Sequence, residues 1–304
     1  MQRLGGLPPD AQKFHGGVIT IGNYDGLHLG HQSLLARMAE RTGPRVVVTF
    51  DPHPTQILQP ARYLKRLFPR EDLSEQLPGW EVDLLMVLPF DQAFARLTAN
   101  EFLDRYVGVL RPKHIVAGYD FAFGSGREGT LDVLKHWAAG LGTEVDVVPP
   151  LRMGGEIVSS RRIRDLVAKG DVFAASLLLG RPYYLRGEVV AGAGRGAHIG
   201  VPTLNQKVVN ETLPALGVYA SRARCAGKSF ASVTNVGTSP TFENGSTVKV
   251  ETHVIEAAAE WRGQVIDVDL IERLRDEKKF SGVEELQKQI HSDILKAKGM
   301  LGVP

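Results

Sequence analysis

The sequence predicts an α/β half followed by a β half: a doubly wound parallel sheet, then a small antiparallel β-barrel with a C-terminal helix. Two observations carry this. Up to about residue 180, short apolar runs alternate with amphipathic stretches of helical period; beyond it, short strand-like runs follow one another with only glycine-rich turns between them. A length of 304 residues fits two domains, each able to bury its own core.

In the first half, residues 18–21, 45–50, 83–88, 114–117 and 144–148 read as strands. Residues 32–41, 100–110 and 130–141 read as the helices between them, and 159–179 as one further helical stretch. Strands of this length separated by helices form βαβ units and a parallel sheet, whose ligands sit at the carboxyl ends of the strands. In the second half, residues 183–190, 217–223, 229–235, 248–255 and 264–270 read as barrel strands. A last helix over 283–298 carries Leu286, Ile290 and Ile294 on one face and is expected to cap the barrel. The domains are placed at 1–182 and 183–304.

Composition narrows the function classes. With 43% hydrophobic and 23% charged residues and a net charge of +2, this is the make-up of an ordinary globular protein. The basic clusters, such as Arg161-Arg162 with Arg164, are short and mixed with apolar residues, so polyphosphate ligands are expected rather than nucleic acid. Cys225 stands alone, the N-terminal stretch lacks the apolar core of a signal peptide, and no apolar run reaches the roughly 18 residues of a membrane span. The expected location is the cytoplasm, with no membrane partner.

The densest chemistry follows the first strand. Gly22-Asn23-Tyr24-Asp25-Gly26-Leu27-His28-Leu29-Gly30-His31 turns from a β-branched run into a helix. Two imidazoles three residues apart at a helix N-terminus can face one ligand together, and Gly30 lets backbone N–H groups approach phosphate oxygens. That is the layout of a nucleoside triphosphate site. Asp51-Pro52-His53-Pro54 and Gly118-Tyr119-Asp120-Phe121-Ala122-Phe123-Gly124 follow later strands, so three loops converge on one crevice. Downstream, Ser159 and Ser160 at a helix start and Arg164 one turn on form a second phosphate-binding device. In the second half, Gly192, Gly194, Gly196 and Gly200 make a loop able to wrap phosphates, and Thr203 and Asn205 offer oxygen donors suited to Mg²⁺.

These segments, with Gly126-Arg127 and Gly129, resemble in order and spacing the bifunctional bacterial riboflavin kinase/FMN adenylyltransferase family, over nearly the whole chain. The resemblance implies a Rossmann-like nucleotidyltransferase domain that transfers AMP from ATP to FMN, followed by a riboflavin kinase barrel. It places His28 and His31 at the triphosphate as catalytic groups. Gly22, Asp25, Gly30, Asp120, Arg127, Ser159, Ser160 and Arg164 would then bind ATP. The glycine loop with Pro202-Thr203-Leu204-Asn205 is similar to the kinase module, which implies ATP at Gly192, Gly194, Gly196 and Gly200, metal at Thr203 and Asn205, Glu251 as the base on the ribityl hydroxyl, and Arg275 near the flavin. In the first domain, Phe50, Pro52 and His53 are flavin candidates because they rim the crevice. Arg161, Ala197, Val201, Leu204 and Ser239 depart from the family pattern, and the loss of two cations at Ala197 and Ser239 is expected to raise a KM.

The expected partners are ATP, riboflavin and FMN, with Mg²⁺ as the ion and FAD as product; the chain is expected to be a monomer or weak homo-oligomer that can hand flavin to apo-flavoproteins. Two other readings stand beside this one: an FMN adenylyltransferase whose barrel only binds flavin, and a flavin-sensing protein without turnover.

Overall fold

A computed structural model describes residues 1–192, 200–240, 246–255 and 261–303, with the backbone alone at 239, 240, 246 and 247. Gly194, Gly196, Ala197 and the side chain of Ser239 therefore lie outside the described residues. The chain forms two compact units, 1–65 with 70–159, and 66–69 with 160–304.

The first unit is built on six parallel strands: β1 (Gln2–Gly5), β2 (Val18–Ile21), β3 (Arg45–Asp51), β4 (Leu84–Pro89), β5 (His114–Gly118) and β6 (Glu144–Val148). They stand in the order β1-β4-β3-β2-β5-β6. Winding runs outward from β2 through β3 to β4, then restarts on its other side at β5, so the switch point lies between β2 and β5. Both sheet faces are buried. Ile19, Val46, Val48, Met86 and Ile115 pack in one core; Val18, Val47, Leu85 and Val116 pack in another with Leu35 and Met38. That double burial explains the unbroken apolar runs.

The connecting helices are α1 (Leu29–Ala39), the short α2 (Pro54–Leu58), α3 (Glu71–Gln76) and α4 (Ala99–Phe102), and α5 (Leu131–Gly140). The helix expected over 100–110 is irregular: α4 gives way to a π turn over Leu103–Val107 and a 3₁₀ turn over Gly108–Leu110. Trp137 of α5 packs on Gly108 and donates from Nε1 to Asp104 at 2.7 Å across this stretch. A two-residue hairpin, β7 (Arg152–Met153) with β8 (Glu156–Ile157), completes the unit.

The second unit opens with α6 (Ser160–Lys169) and α7 (Val172–Leu179). The single helical stretch expected over 159–179 is thus two helices. Gly170 adopts φ +81° against Arg273 and Tyr219, where a Cβ would clash, and Asp171 restarts the helix by accepting from Ala174 N at 3.0 Å. The strands β9 (Tyr183–Val190), β10 (Leu204–Val208), β11 (Gly217–Cys225), β12 (Lys228–Pro240), β13 (Ser246–Val254) and β14 (Val265–Arg275) close in the order β10-β13-β12-β11-β14-β9. A C-terminal helix, α8 (Val283–Leu301), lays Ala297 and Leu301 on Val218, Ala220 and Val233.

The barrel interior is partly polar. Ser221, Ser232, Thr234 and Thr252 are fully buried and join hydroxyl to hydroxyl at 2.8–3.0 Å. Gln206 donates inward to Leu185 O and Ile266 O. Since side chains alternate along a strand, the neighbours Asn205, Asn235 and Glu251 lie on the outer face, the one covered in part by α8.

Candidate functional site

Residues 22–31 leave the carboxyl end of β2, beside the switch point. The loop is tightly wound, with positive φ at Tyr24, Gly26 and Leu27. Tyr24 is buried and its hydroxyl meets Thr20 Oγ1 at 2.6 Å, while Thr20 donates to Val116 O on β5. The loop is thereby pinned across the two strands flanking the switch point. Arg37 of α1 and Arg41 just beyond its C-cap both donate to Asp146 of β6, which fixes the helix to the sheet.

His28 is the N-cap of α1: its Nδ1 accepts from His31 N at 3.2 Å. The two rings stack, with centroids 3.7 Å apart and planes 14° from parallel. Because Nδ1 accepts, the neutral His28 ring carries its proton on Nε2, so it presents an N–H donor there. Desolvation of the His31 ring, with the repulsion a protonated His28 would add second, lowers the His31 pKa well below the usual imidazole range. His31 is thus neutral at pH 7, and its Nδ1 is buried with no hydrogen-bond partner among the described residues.

Gly30 has a role besides the one expected. A Cβ there would sit 3.1 Å from His28 Cε1 and 3.2 Å from Nδ1, so the missing side chain makes room for the folded-back imidazole. The same point lies 3.4 Å from Val158 O, which brings the residue before Ser159 next to the histidine turn. Gly22 similarly faces the Tyr24 ring at 3.2 Å. Asp25 is half-buried in the same loop.

The other loops of this unit also sit at carboxyl ends of strands. Asp120 and Arg127 are exposed beyond β5; Arg127 has φ +62°, after Gly124 and Gly126, which also have positive φ. Gly129 closes a two-way backbone bridge with Phe123. Phe50, at the end of β3, is half-buried against Phe90, Phe94 and Phe102 at 5.8–6.2 Å, an aromatic cluster open on one side. His53 caps α2, its Nδ1 accepting from Thr55 N at 3.3 Å. Ser160 and Arg164 lie on α6, in the second unit.

In the barrel, strand register assembles the second candidate site. Asn205 of β10 is opposite Glu251 of β13, Glu251 is opposite Asn235 of β12, Asn235 is opposite Val218 of β11, and Val218 is opposite Arg275 of β14. Directly paired residues project to one face, so these five form a row on the outer face. A bulge aims Arg275: Tyr219 pairs with Arg273 and Val218 with Arg275, leaving Leu274 as an extra residue. Glu251 is half-buried. A Cβ on Gly192 would fall inside the Asn205 amide, so the loop backbone runs directly over that side chain. Gly237 lies under Glu277 Oε1 in the same way, beside Asn235. Gly200 has φ +78° and open space around it.

Sequence reasoning gave no role to Asn235 or Glu277 and missed Gln289 and Asp293. Asp293 was findable: it falls on the apolar face of α8 between Ile290 and Ala297, where a carboxylate needs a partner. Among the described residues no group of three or more His, Cys, Asp or Glu is placed to hold a metal. No helix among the described residues is long and apolar enough to cross a membrane.

Comparison with known proteins covers both units. The FAD synthetase family model matches residues 10–162 and the riboflavin kinase model residues 179–301. Curated relatives named bifunctional riboflavin kinase/FMN adenylyltransferase include those of Listeria monocytogenes, 34% identical over 91% of this chain and 90% of the relative, and of Escherichia coli, 35% identical over 95% and 94%. That of Pseudomonas fluorescens is 33% identical over 99% and 98%. A solved structure from Streptococcus pneumoniae, described as a macrolide-efflux protein, superposes with a TM-score of 0.87 at 32% identity, covering 93% of this chain and 94% of that one.

Proposed function

The chain belongs to the bifunctional riboflavin kinase/FMN adenylyltransferase family, and from that premise we propose how its residues divide the work. The enzyme phosphorylates riboflavin to FMN with ATP, then transfers AMP from a second ATP to FMN, giving FAD and pyrophosphate. The single-activity and flavin-sensing readings are not favoured.

In the first unit, an FMN phosphate oxygen attacks the α-phosphorus of ATP as the bond to pyrophosphate breaks. Charge grows on the nonbridging oxygens and on the leaving group, so positioned donors supply the catalysis. The observation that carries the assignment is the His28–His31 pair. His28 presents its Nε2–H, set by the N-cap bond, and the buried Nδ1 of neutral His31 has no partner among the described residues, a place that a phosphate oxygen or bridging water would fill. The N-terminus of α1 adds backbone N–H groups and the positive end of the helix dipole. Gly22, Asp25, Asp120, Arg127 and Ser159 complete the nucleotide contacts of this unit in this reading, and Phe50 and His53 the flavin side.

In the barrel, Glu251 takes the proton of the terminal ribityl hydroxyl as that oxygen attacks the γ-phosphorus and ADP departs. Its register neighbours support the reading: Asn205 on one side and Asn235 on the other hold polar groups at the same level of the sheet. The donor set fits a hard cation, because Thr203 and Asn205 offer neutral oxygens and the Gly192 backbone lies pressed against Asn205 with no room for a Cβ. Mg²⁺, when bound there, neutralises phosphate charge. Gly192 and Gly200 then belong to the ATP loop. We place the enzyme in the cytoplasm, as a monomer or weak oligomer able to pass flavin on.

The test is a time course with riboflavin, ATP and Mg²⁺, separating the flavins by chromatography, beside a run begun from FMN. FMN preceding FAD supports the assignment of both sites; FAD arising only from supplied FMN would remove the kinase role of Glu251, Thr203 and Asn205.

A further inference from the structure

We propose that α8 is a working part of the kinase site, with Asp293, supported by Gln289, as the positioning residue that aims Arg275 at the flavin; this rests on the reading that puts Arg275 at the flavin end. Asp293 is 2% exposed. Its Oδ2 accepts from Arg275 Nε at 2.9 Å and lies 2.9 Å from Nη2, while Oδ1 accepts from Gln289 Nε2 at 2.9 Å. Arg275 Nη1 donates to Asp276 O at 2.9 Å. All three guanidinium nitrogens are thus held, and the plane cannot turn. The group stands 5.7 Å from the Phe280 ring centroid.

The helix itself is fixed by the burial of Ala297 and Leu301 against β11 and β12. The β14 bulge and the Asp293 carboxylate therefore set the guanidinium from two sides, one through the backbone and one through the side chain. Of the five N–H donors of an arginine, three are committed here among the described residues, and two remain for a ligand. A planar heterocycle with carbonyl acceptors on its edge fits that donor fork, and a fork aimed only by a mobile side chain would lose the orientation.

The experiment measures steady-state kinase kinetics of the full-length enzyme with Asp293→Asn, Arg275→Ala and the double variant, with FAD formation from FMN as the internal reference. Asp293→Asn is expected to raise the riboflavin KM about tenfold, leave the ATP KM and FAD formation unchanged, and add nothing in the Arg275→Ala background. An unchanged riboflavin KM, both KM values shifting alike, or an equal effect in both backgrounds would overturn the proposal. Should Asp293→Asn fail to fold, Gln289→Met is expected to show the same split at smaller size, and its absence overturns the idea equally. If Arg275→Ala leaves the riboflavin KM unchanged, the flavin reading of Arg275 fails first and takes the proposal with it.

Discussion

His28 Nδ1 accepts the backbone N–H of His31 at 3.2 Å, and the two imidazoles stack 3.7 Å apart. One side chain thus caps the helix and fixes its own tautomer. Replacing His28 by Ala is expected to cost about 1 kcal/mol of stability through the lost cap and about 10²–10³-fold in FAD formation. His28→Asn, which still caps, should keep the stability and lose the activity. Chemical denaturation and product chromatography read the two effects separately, and FMN formation from riboflavin should be untouched in both variants.

Gly30→Ala sets stability against activity. Alanine is favoured over glycine in a helix by about 0.5–1 kcal/mol, yet its Cβ would sit 3.1 Å from the His28 ring and push it. FAD formation is expected to fall while the melting temperature holds or rises. A variant with full activity would mean the ring position is not set by Gly30.

The pH dependence follows from His31. Desolvation, with the repulsion of a protonated His28 second, lowers its pKa in the fold, whereas the unfolded chain protonates it near the ordinary 6.5. Below that pH the unfolded state binds more protons, so the contribution is complete above about 6.5 and drains away as pH falls. The slope is at most about 1.4 kcal/mol per pH unit. Urea denaturation between pH 7.5 and 5 should show this slope in the parent protein and its loss in His31→Gln.

Gly192→Ala places a Cβ within the Asn205 amide. FMN formation should fall at least about tenfold, with FAD formation from supplied FMN intact. Glu251→Gln, which removes the base but keeps the side-chain shape, should lower FMN formation about 10²–10⁴-fold with the same sparing of the first unit. Equal loss of both activities in either variant would contradict two separate sites.

Much of the frame is legible in the sequence because burial writes itself as hydrophobic period. The runs of β2, β3, β4 and β5 are buried on both faces and stand out, and so does the switch of texture at the barrel. What stays hidden is held by backbone or polar groups. Strand β1 exposes most of its side chains and is held by pairing with β4 and by Leu4 alone against the core. Strand β10 turns Gln206 into the barrel interior, so its alternation does not show. The break at Gly170 and the π turn after α4 depend on Arg273, Tyr219 and Trp137, remote in sequence. The site motifs are readable as residues, but the register that sets Asn205, Glu251 and Asn235 side by side is a property of the closed barrel.

That register makes the kinase site intolerant of miscounting. A closed barrel has no free edge along which a strand can slide, and inserting or deleting one residue between Val248 and Glu251 would turn the carboxylate inward among the Thr234 and Thr252 hydroxyls. Leu274 and Ile271 of β14 are places where an odd residue is already absorbed, and removing Leu274 would swing Arg275 to the other face. Variation in length is therefore confined to the turns, while each strand of this half keeps its parity as strictly as a reading frame.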